Sequence, residues 1–436
     1  MNKRITISQV ITVLIAVFFS LQLSAQQAYY VDNSGFDNPG NGGISNPYAT
    51  LSFALSDIVH VAGDTIIVNS GTYNDNNVAL SFDDIYIKGS SIGTVIYDGG
   101  NSGFFMSITG TNVQIDNLLI QNYTNAGAID IISNSTLDST YVSFNECSFL
   151  DNETNVPFDA DPHGGAMYIE TGAGVGILPS VVTLVNCQFV GNIAEDSEGG
   201  GAIYIEGNSR LDITGSRFLC NNPQVAGLTT YEGGAIYFSN SSGSIRESFF
   251  SGNSVFDQQG GAIIGDDATG QRFINIESTV FTDNLGREGS AIFVYNNFDL
   301  NIVNSLFYDN ETRTGFGNGG VINSSGGNNN ISIINSTIAD NTRGSGSDSR
   351  GVVNSSSNSF VIENSLIWGN TNEDVEDVGG GTIDVSYSVV DAAGVPSYNN
   401  VIGNSTTNPN FTGGTDYTVQ PASIAIGLGL GVQEPA

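Results

Sequence analysis

The sequence predicts an all-β fold, a solenoid of short parallel strands, and three observations carry that prediction. One phrase, fullest as Asn186-Cys-Gln-Phe-Val-Gly-Asn192, returns about every thirty residues: Cys147-Ser-Phe-Leu-Asp-Asn152, Ser216-Arg-Phe-Leu-Cys-Asn221, Ser248-Phe-Phe-Ser-Gly-Asn253, and onward to Ser365-Leu-Ile-Trp-Gly-Asn370. A second phrase interleaves with it: Gly164-Gly-Ala-Met-Tyr, Gly200-Gly-Ala-Ile-Tyr, Gly233-Gly-Ala-Ile-Tyr, Gly260-Gly-Ala-Ile and Gly289-Ser-Ala-Ile-Phe. Between them run short alternating segments such as Val182-Thr-Leu, Leu211-Asp-Ile, Leu300-Asn-Ile and Ile331-Ser-Ile, a strand signature of period two. A fixed period of this length means a stack of near-identical units. Helices are excluded from the repeats, because 55 glycines and dense Asn-Ser stretches would break them. The units all run in one direction with no hairpin turn pairing their phrases, so the strands stack in parallel.

Residues 1–25 have the layout of a secretory signal. Lys3 and Arg4 precede an apolar run from about Val10 to Phe19, and Leu23-Ser-Ala25 supplies a small-residue cleavage site. The run is shorter than a bilayer span, which disfavours a membrane anchor, and nothing later is long and apolar enough to span. The expectation is an exported chain, secreted or at the cell surface, beginning near Gln26 and acting as a monomer. Residues 26–74 form an N-terminal lead-in and cap. Leu51, Leu55, Ile58 and Val59 share one helical face, with Asn46 as N-cap and Pro47 in the first turn. Such a helix would cover the first open strand edge. Asp64-Thr-Ile-Ile-Val-Asn follows as a strand and Ser70-Gly-Thr-Tyr as its turn. Residues 75–391 hold the repeats, about ten to twelve coils, and 392–436 a looser C-terminal cover and tail.

Two asparagine columns run through the repeats. Asn117, Asn186, Asn304, Asn335 and Asn364 share one slot, which Glu146, Gly215, Glu247 and Ser278 interrupt. Stacked amides at a strand spacing of ~4.8 Å can hydrogen-bond along the stack, and this column is expected to do so. Six residues on lie Asn152, Asn192, Asn221, Asn253, Asn284, Asn310, Asn341 and Asn370, expected to mark a left-handed corner of each coil. Cys147 and Cys187 share a slot with Ser216, Ser248, Thr279, Ser305, Ser336 and Ser365, which reads as interchangeable small side chains, a bridge between the two thiols being the alternative.

Removing the signal leaves 9 basic against 44 acidic residues, a net charge of −35. So acidic a surface repels nucleic acid and anionic lipid heads. Neutral glycans and divalent cations remain compatible partners, and the charge also serves plain solubility.

The phrases resemble those of the right-handed parallel β-helix proteins of the pectate-lyase-like superfamily. Tyr29-Tyr-Val-Asp, Asn46-Pro-Tyr-Ala-Thr-Leu, Ala62-Gly-Asp-Thr-Ile-Ile-Val and Gly71-Thr-Tyr are similar to the opening of secreted bacterial members with a choice-of-anchor ending. Asn408-Pro-Asn-Phe and Gln420-Pro-Ala-Ser-Ile-Ala-Ile-Gly resemble a worn version of that ending, with Ala422 and Gly427 where the family has Gly and Asp. The Gly-Gly-Ala-Ile and Phe-x-x-Asn phrases resemble those of polymorphic outer-membrane adhesins. The resemblance implies a right-handed coil and a carbohydrate-related or adhesive role.

Chemistry is sparse. Lyases on this fold use Arg or Lys as base, but Lys88 is the one lysine beyond the signal and the arginines are scattered one per repeat; Arg246 and Arg272 are nominal candidates. Hydrolases on it use clustered carboxylates; Asp266-Asp267 and His163-Gly-Gly offer themselves but lie several coils apart. Two constellations remain. Asp159, Asp161 and His163, then Glu195, Asp196 and Glu198, then Glu232 occupy corresponding loops before the Gly-Gly-Ala strands, where stacking would align oxygen ligands for calcium or simply form a solvated acidic ridge. If Ile203 and Ile205 point inward, Tyr204 points outward with Tyr168, Tyr237, Ile264 and Phe293, beside a second outward column of Glu170, Glu206, Ser239 and Asp266. Tyrosines beside carboxylates suit pyranose rings. A one-residue slip would instead make the tyrosines core. The functional expectation is therefore an exported rod that binds a polysaccharide or cell-surface glycan, or serves as an adhesive or structural element, with no cofactor beyond calcium. The alternative is a lyase or hydrolase with a diverged site.

Overall fold

Apolar alternation along each unit becomes three faces of one parallel β-helix. The computed structural model describes residues 26–425 apart from 126, 155–163, 195–198, 223–231, 256–257, 267, 314–318, 344–349, 372–373, 392–399 and 403. The expected signal therefore lies outside the described residues. Among the described residues no helix is long and apolar enough to cross a membrane.

Each coil passes through three sheets in turn: sheet two (Met167–Thr171), sheet one (Ser180–Val185) and sheet three (Gln188–Val190), then the next coil begins. Sheet one has 14 strands, sheet two 11 and sheet three 12, every neighbouring pair parallel and each strand hydrogen-bonded to its equivalent in the adjoining coils. Inward positions form a continuous core of Ile, Val, Leu and Phe. The Phe of the first phrase packs most regularly. Phe149, Phe189, Phe218, Phe250, Phe281 and Phe307 stack with centroids 4.6–4.8 Å apart and nearly parallel rings. That spacing is the rise of one coil, and each such ring fully buried contributes roughly 1.5–3 kcal/mol. The Gly-Gly-Ala phrase is equally structural. A Cβ on Gly234 would lie 2.0 Å from the carbonyl oxygen of Gly261, and one on Gly201 2.2 Å from that of Gly234. Only glycine allows the coils to approach so closely there.

The two asparagine columns exchange the roles expected of them. Asn117, Asn186, Asn304, Asn335 and Asn364 have φ of 51–61° and, with Glu146, Gly215, Glu247 and Ser278, form the left-handed corner between sheets one and three. The second column is the ladder. Asn152 Nδ2 donates to Asn192 Oδ1 at 3.0 Å, and the pattern repeats through Asn221, Asn253, Asn284, Asn310, Asn341 and Asn370 at 2.8–3.0 Å. The physical reason is burial. These amides are inaccessible to water and must find partners inside, whereas a corner amide such as Asn186 is exposed and solvated. The left-handed turn beside the ladder falls one residue earlier, on Asp151, Gly191, Cys220, Gly252, Asp283, Asp309, Asp340 and Gly369.

The small-residue column is a second internal ladder. Ser216 Oγ accepts from Cys187 N at 3.1 Å and donates to Thr214 O, and Ser248, Ser305, Ser336 and Ser365 repeat the pattern. Cys147 and Cys187 sit in it as buried free thiols with no bridge.

At the N-terminus the helix spans Leu51–Asp57 and packs against Val78–Leu80, the first strand of sheet two. Its N-cap is Thr50, whose Oγ1 accepts from Phe53 N at 3.1 Å, rather than Asn46. The reason is that Tyr48 is held extended by Tyr30 of the first strand, Ala28–Val31, and by Asp32 just after it, so the helix cannot start before it. Val59 falls beyond the helix and is exposed. Gly71–Tyr73, expected as a turn, is the first strand of sheet three, because Gly71 N reaches Thr94 O and the Tyr73 ring turns into the core. At the other end, an antiparallel hairpin (Phe411–Gly413 with Asp416–Val419) sets Tyr417 5.2 Å from Tyr308 on the outside of sheet three.

Candidate functional site

Sheet two carries side chains that neither the core nor the ladders explain. Its register aligns Asp130, Tyr168, Tyr204, Tyr237, Ile264 and Phe293 as one column on consecutive strands. Ile131, Ile169, Ile205 and Phe238 face the other way, into the central core. The outward direction expected of the tyrosines is therefore observed, and they form a hydrophobic cluster of their own, apart from that core. The open face expected of them is not. Tyr168, Tyr204, Tyr237 and Phe293 are only 1–6% exposed, and the rings lie 6.0 Å (Tyr168–Tyr204) and 5.0 Å (Tyr204–Tyr237) apart, packed on one another. Pointing away from one core does not leave a side chain in water when its column neighbours are large rings. As a flat stacking platform for sugar, these rings are covered.

The polar end of the column is different. The single proton of the Tyr168 hydroxyl is shared between Glu206 Oε1, the shorter contact, and Glu170 Oε2 at 3.1 Å, so one phenol lies between two carboxyl groups of adjoining coils. Burial first, and then both carboxylates, hold the Tyr168 hydroxyl far above its ordinary pKa. Asp130 is the next member of the column and pairs in register with Tyr168. Its carboxyl is pushed up to about 7, chiefly by burial and then by the charge of Glu170, and its Oδ1 is buried without a hydrogen-bond partner. Asp130, Tyr168, Glu170 and Glu206 thus gather on the outward face of sheet two around the third to fifth of its eleven strands, where the aromatic column ends. A buried acid with a raised pKa beside two further carboxyl groups and a phenol is an arrangement that can donate to, and accept from, hydroxyl groups.

Asp130 is absent from the residues singled out in the sequence, yet a signal for it exists. Gly127-Ala-Ile-Asp130 is the Gly-Ala-Ile-Tyr phrase with Asp in the tyrosine slot. The other candidates do not join this site. Asp159, Asp161, His163, Glu195, Asp196, Glu198 and Asp267 lie outside the described residues. Glu232 is described, and among the described residues no three His, Cys, Asp or Glu side chains group as a metal ion requires. Asp266 continues the second outward column beyond Ser239. Arg246 pairs with Glu277 at 3.3 Å on sheet one. Arg272 donates to Asn240 O at 2.9 Å, also on sheet one, and burial lowers its pKa. Neither arginine stands as a base beside the carboxylates of sheet two.

Comparisons with known proteins concern the fold. The family described as the right-handed β-helix region matches residues 138–332. Among solved structures, a GH136 lacto-N-biosidase from Eubacterium ramulus is similar at 12% identity over 81% of this chain and 71% of that one, with a TM-score of 0.46. A pectate lyase is similar at 14% identity over 90% and 84%, with a TM-score of 0.44. An alginate lyase from Paenibacillus sp. is similar at 16% identity over 75% and 99%, with a TM-score of 0.39. No curated protein sequence matches the chain. The family's description makes the matched stretch, residues 138–332, a right-handed coil.

Proposed function

We propose that the protein is an exported, rod-shaped β-helix that holds a neutral glycan at the Asp130–Tyr168–Glu170–Glu206 cluster on the outward face of sheet two. The observation that carries this reading is the convergence of Glu170 and Glu206 on the Tyr168 hydroxyl, with Asp130 aligned beside it. Carboxylates accept sugar hydroxyls, and a chain of net charge −33 repels acidic polysaccharides. Lys3, Arg4, the apolar run and Ala25 support export. The aromatic column acts beneath the site as a rigid backing rather than as a stacking surface. Binding of neutral oligosaccharides by the full chain, compared with Glu170→Gln and Glu206→Gln, tests the reading. Affinity lost in both variants at unchanged melting temperature supports it, and affinity retained in both overturns it.

One observation favours a second reading, glycoside hydrolysis. Burial and then the charge of Glu170 push the Asp130 carboxyl up to about 7, and a carboxylic acid so raised, beside a second carboxyl group, is suited to protonating a leaving group while the other activates water. New reducing ends from a neutral polysaccharide panel, abolished by Asp130→Asn, would establish it. No turnover across the panel would refute it.

A further inference from the structure

Sheet one offers a surface of a different kind, and its charges are the informative part. The outward column of this sheet runs in register through Gln114, Ser143, Thr183, Asp212, Ser244, Asn275, Asn301 and Ser332, an almost unbroken line of hydroxyls and amides. Two arginines beside it are paired with acids on the same face. Arg210 Nε lies 2.9 Å from Asp212, and Arg246 Nε 3.3 Å from Glu277. In a chain carrying −33, the one charge in this column, Asp212, is paired by Arg210, and Asp299 on the adjoining column is held by the amides of Gln271 and Asn330.

Two shallow depressions interrupt the strip. One is bordered by Gln114, Tyr141, Ser143, Val181 and Thr183. Tyr141 is 49% exposed, an aromatic of this rod left open to solvent, in contrast to the covered rings of sheet two. The other depression is bordered by Arg246, Asn275, Glu277, Asn301 and Val303, where Asn301 Nδ2 donates to Asn275 Oδ1 at 2.9 Å. The strands that hold Tyr141 and Asn301 are five steps apart in the sheet, roughly 24 Å at a strand spacing near 4.8 Å.

We infer that this face binds a neutral polysaccharide laid along the rod axis, its sugar ring stacked on Tyr141 and its hydroxyls paired with the Asn275–Asn301 depression. A polyhydroxylated chain matches a ladder of donors and acceptors that repeats at every coil, and an exposed phenol ring presents the apolar face that a pyranose can cover. A strip whose charge is paired selects against both polyanions, which the whole chain repels, and polycations, which would seek its acidic faces. The inference takes its class of ligand from the glycan reading above but uses none of its residues.

The test is affinity electrophoresis of the full chain in gels containing a neutral polysaccharide (galactomannan or xyloglucan) or an acidic one (polygalacturonate or alginate). A neutral polysaccharide is expected to retard the protein. Tyr141→Ala, and separately Asn275→Ala with Asn301→Ala, are expected to weaken that retardation at least about tenfold, while the melting temperature stays put because these side chains lie on the surface. Glu170→Gln with Glu206→Gln removes the sheet-two contribution, so retardation that persists in that variant but is lost in the sheet-one variants reports on this face. Parent-like retardation of both sheet-one variants, retardation by acidic polysaccharides alone, or none by any, overturns the inference. Should only the carboxylate variants lose binding, this inference falls and the sheet-two reading stands. The reverse pattern leaves this one standing alone.

Discussion

Replacing Asn253 by alanine should cost the rod several kilocalories per mole, and the structure says where the cost arises. Asn253 Nδ2 donates to Phe218 O at 3.0 Å and to Asn284 Oδ1 at 2.9 Å, while its Oδ1 accepts from Asn221 N at 3.1 Å and Asn221 Nδ2 at 2.9 Å. Most of those partners keep another bond. Asn221 Nδ2 still reaches Phe189 O, and Asn284 Oδ1 still accepts from Asn253 N. Asn221 N has no such substitute, whereas Phe218 O keeps its place in the parallel ladder with the next strand. An orphaned buried donor costs about 1–3 kcal/mol, so the substitution should destabilise by roughly 2–4 kcal/mol once the small void is included. The matched control is Asn186→Ala in the corner column. Its amide is exposed, so the expected penalty is the left-handed backbone alone, about 1 kcal/mol. Urea denaturation of the full chain, followed by circular dichroism, measures both. A solenoid is a row of coupled units, so a second, earlier transition in Asn253→Ala counts as destabilisation of the coils around it. Equal midpoints for the two variants would refute the assignment of ladder and corner.

Stability should fall as pH rises from about 4 to 7. Asp130 and Asp374 are both pushed up to about 7 by burial. A raised carboxyl favours the protonated folded state, so its contribution is complete below the unfolded value of about 4 and disappears as pH passes about 7, at most ~4 kcal/mol each. Thermal melts across that window should flatten in Asp374→Asn and Asp130→Asn; a slope unchanged in both variants would contradict the burial argument. Tyr204→Ala should destabilise by roughly 3 kcal/mol, because the ring is buried between Tyr168 and Tyr237, and an unchanged denaturation midpoint would show the cluster to be open to water. Cys187→Ser should stay within about 1 kcal/mol of the parent, since serine already fills that slot in later coils and the hydroxyl can reach Val185 O. In the native protein neither Cys147 nor Cys187 should react with a thiol reagent, both being buried with raised pKa values; rapid labelling would count against that burial.

The fold was legible because its signals are local and repeated. Strand alternation, Gly-Gly-Ala and the Phe column each declare themselves in one unit and recur in the next. The two asparagine columns show what periodicity leaves out. Both repeat at the same interval, so spacing cannot tell a buried ladder from an exposed corner. Continuity can. The corner column tolerates Glu146, Gly215, Glu247 and Ser278, because a left-handed turn needs a backbone shape rather than an amide, whereas the ladder runs unbroken from Asn152 to Asn370. Alternation likewise gave the direction of Tyr204 but said nothing of what lies against it, since coverage of an outward ring depends on residues far along the chain. Asp130 escaped notice for another reason: the repeat that contains it is worn, and a column drawn from its best copies omits the copy that departs.

The direction of the ladder also explains where the regular rod stops. Every amide donates Nδ2 to the next coil and accepts from the previous one, so the column is polar and its two ends need different partners. At the first end, Asn152 Oδ1 accepts from a backbone donor, Tyr123 N, at 3.2 Å. At the last, Asn370 Nδ2 needs an acceptor, and a further asparagine would only pass the need onward. Asp374 ends the chain of donors. Its Oδ1 accepts from Asn370 at 2.8 Å, and its Oδ2 accepts from Asp391 N at 2.6 Å, immediately after the last strand of sheet three. An ionised carboxylate has no proton to hand on, which makes it the side chain that closes such a ladder without leaving a donor stranded. Burial opposes that ionisation and pushes its pKa up despite these hydrogen bonds. The same residue therefore fixes the C-terminal boundary of the ladder and makes that boundary the part of the ladder most responsive to pH.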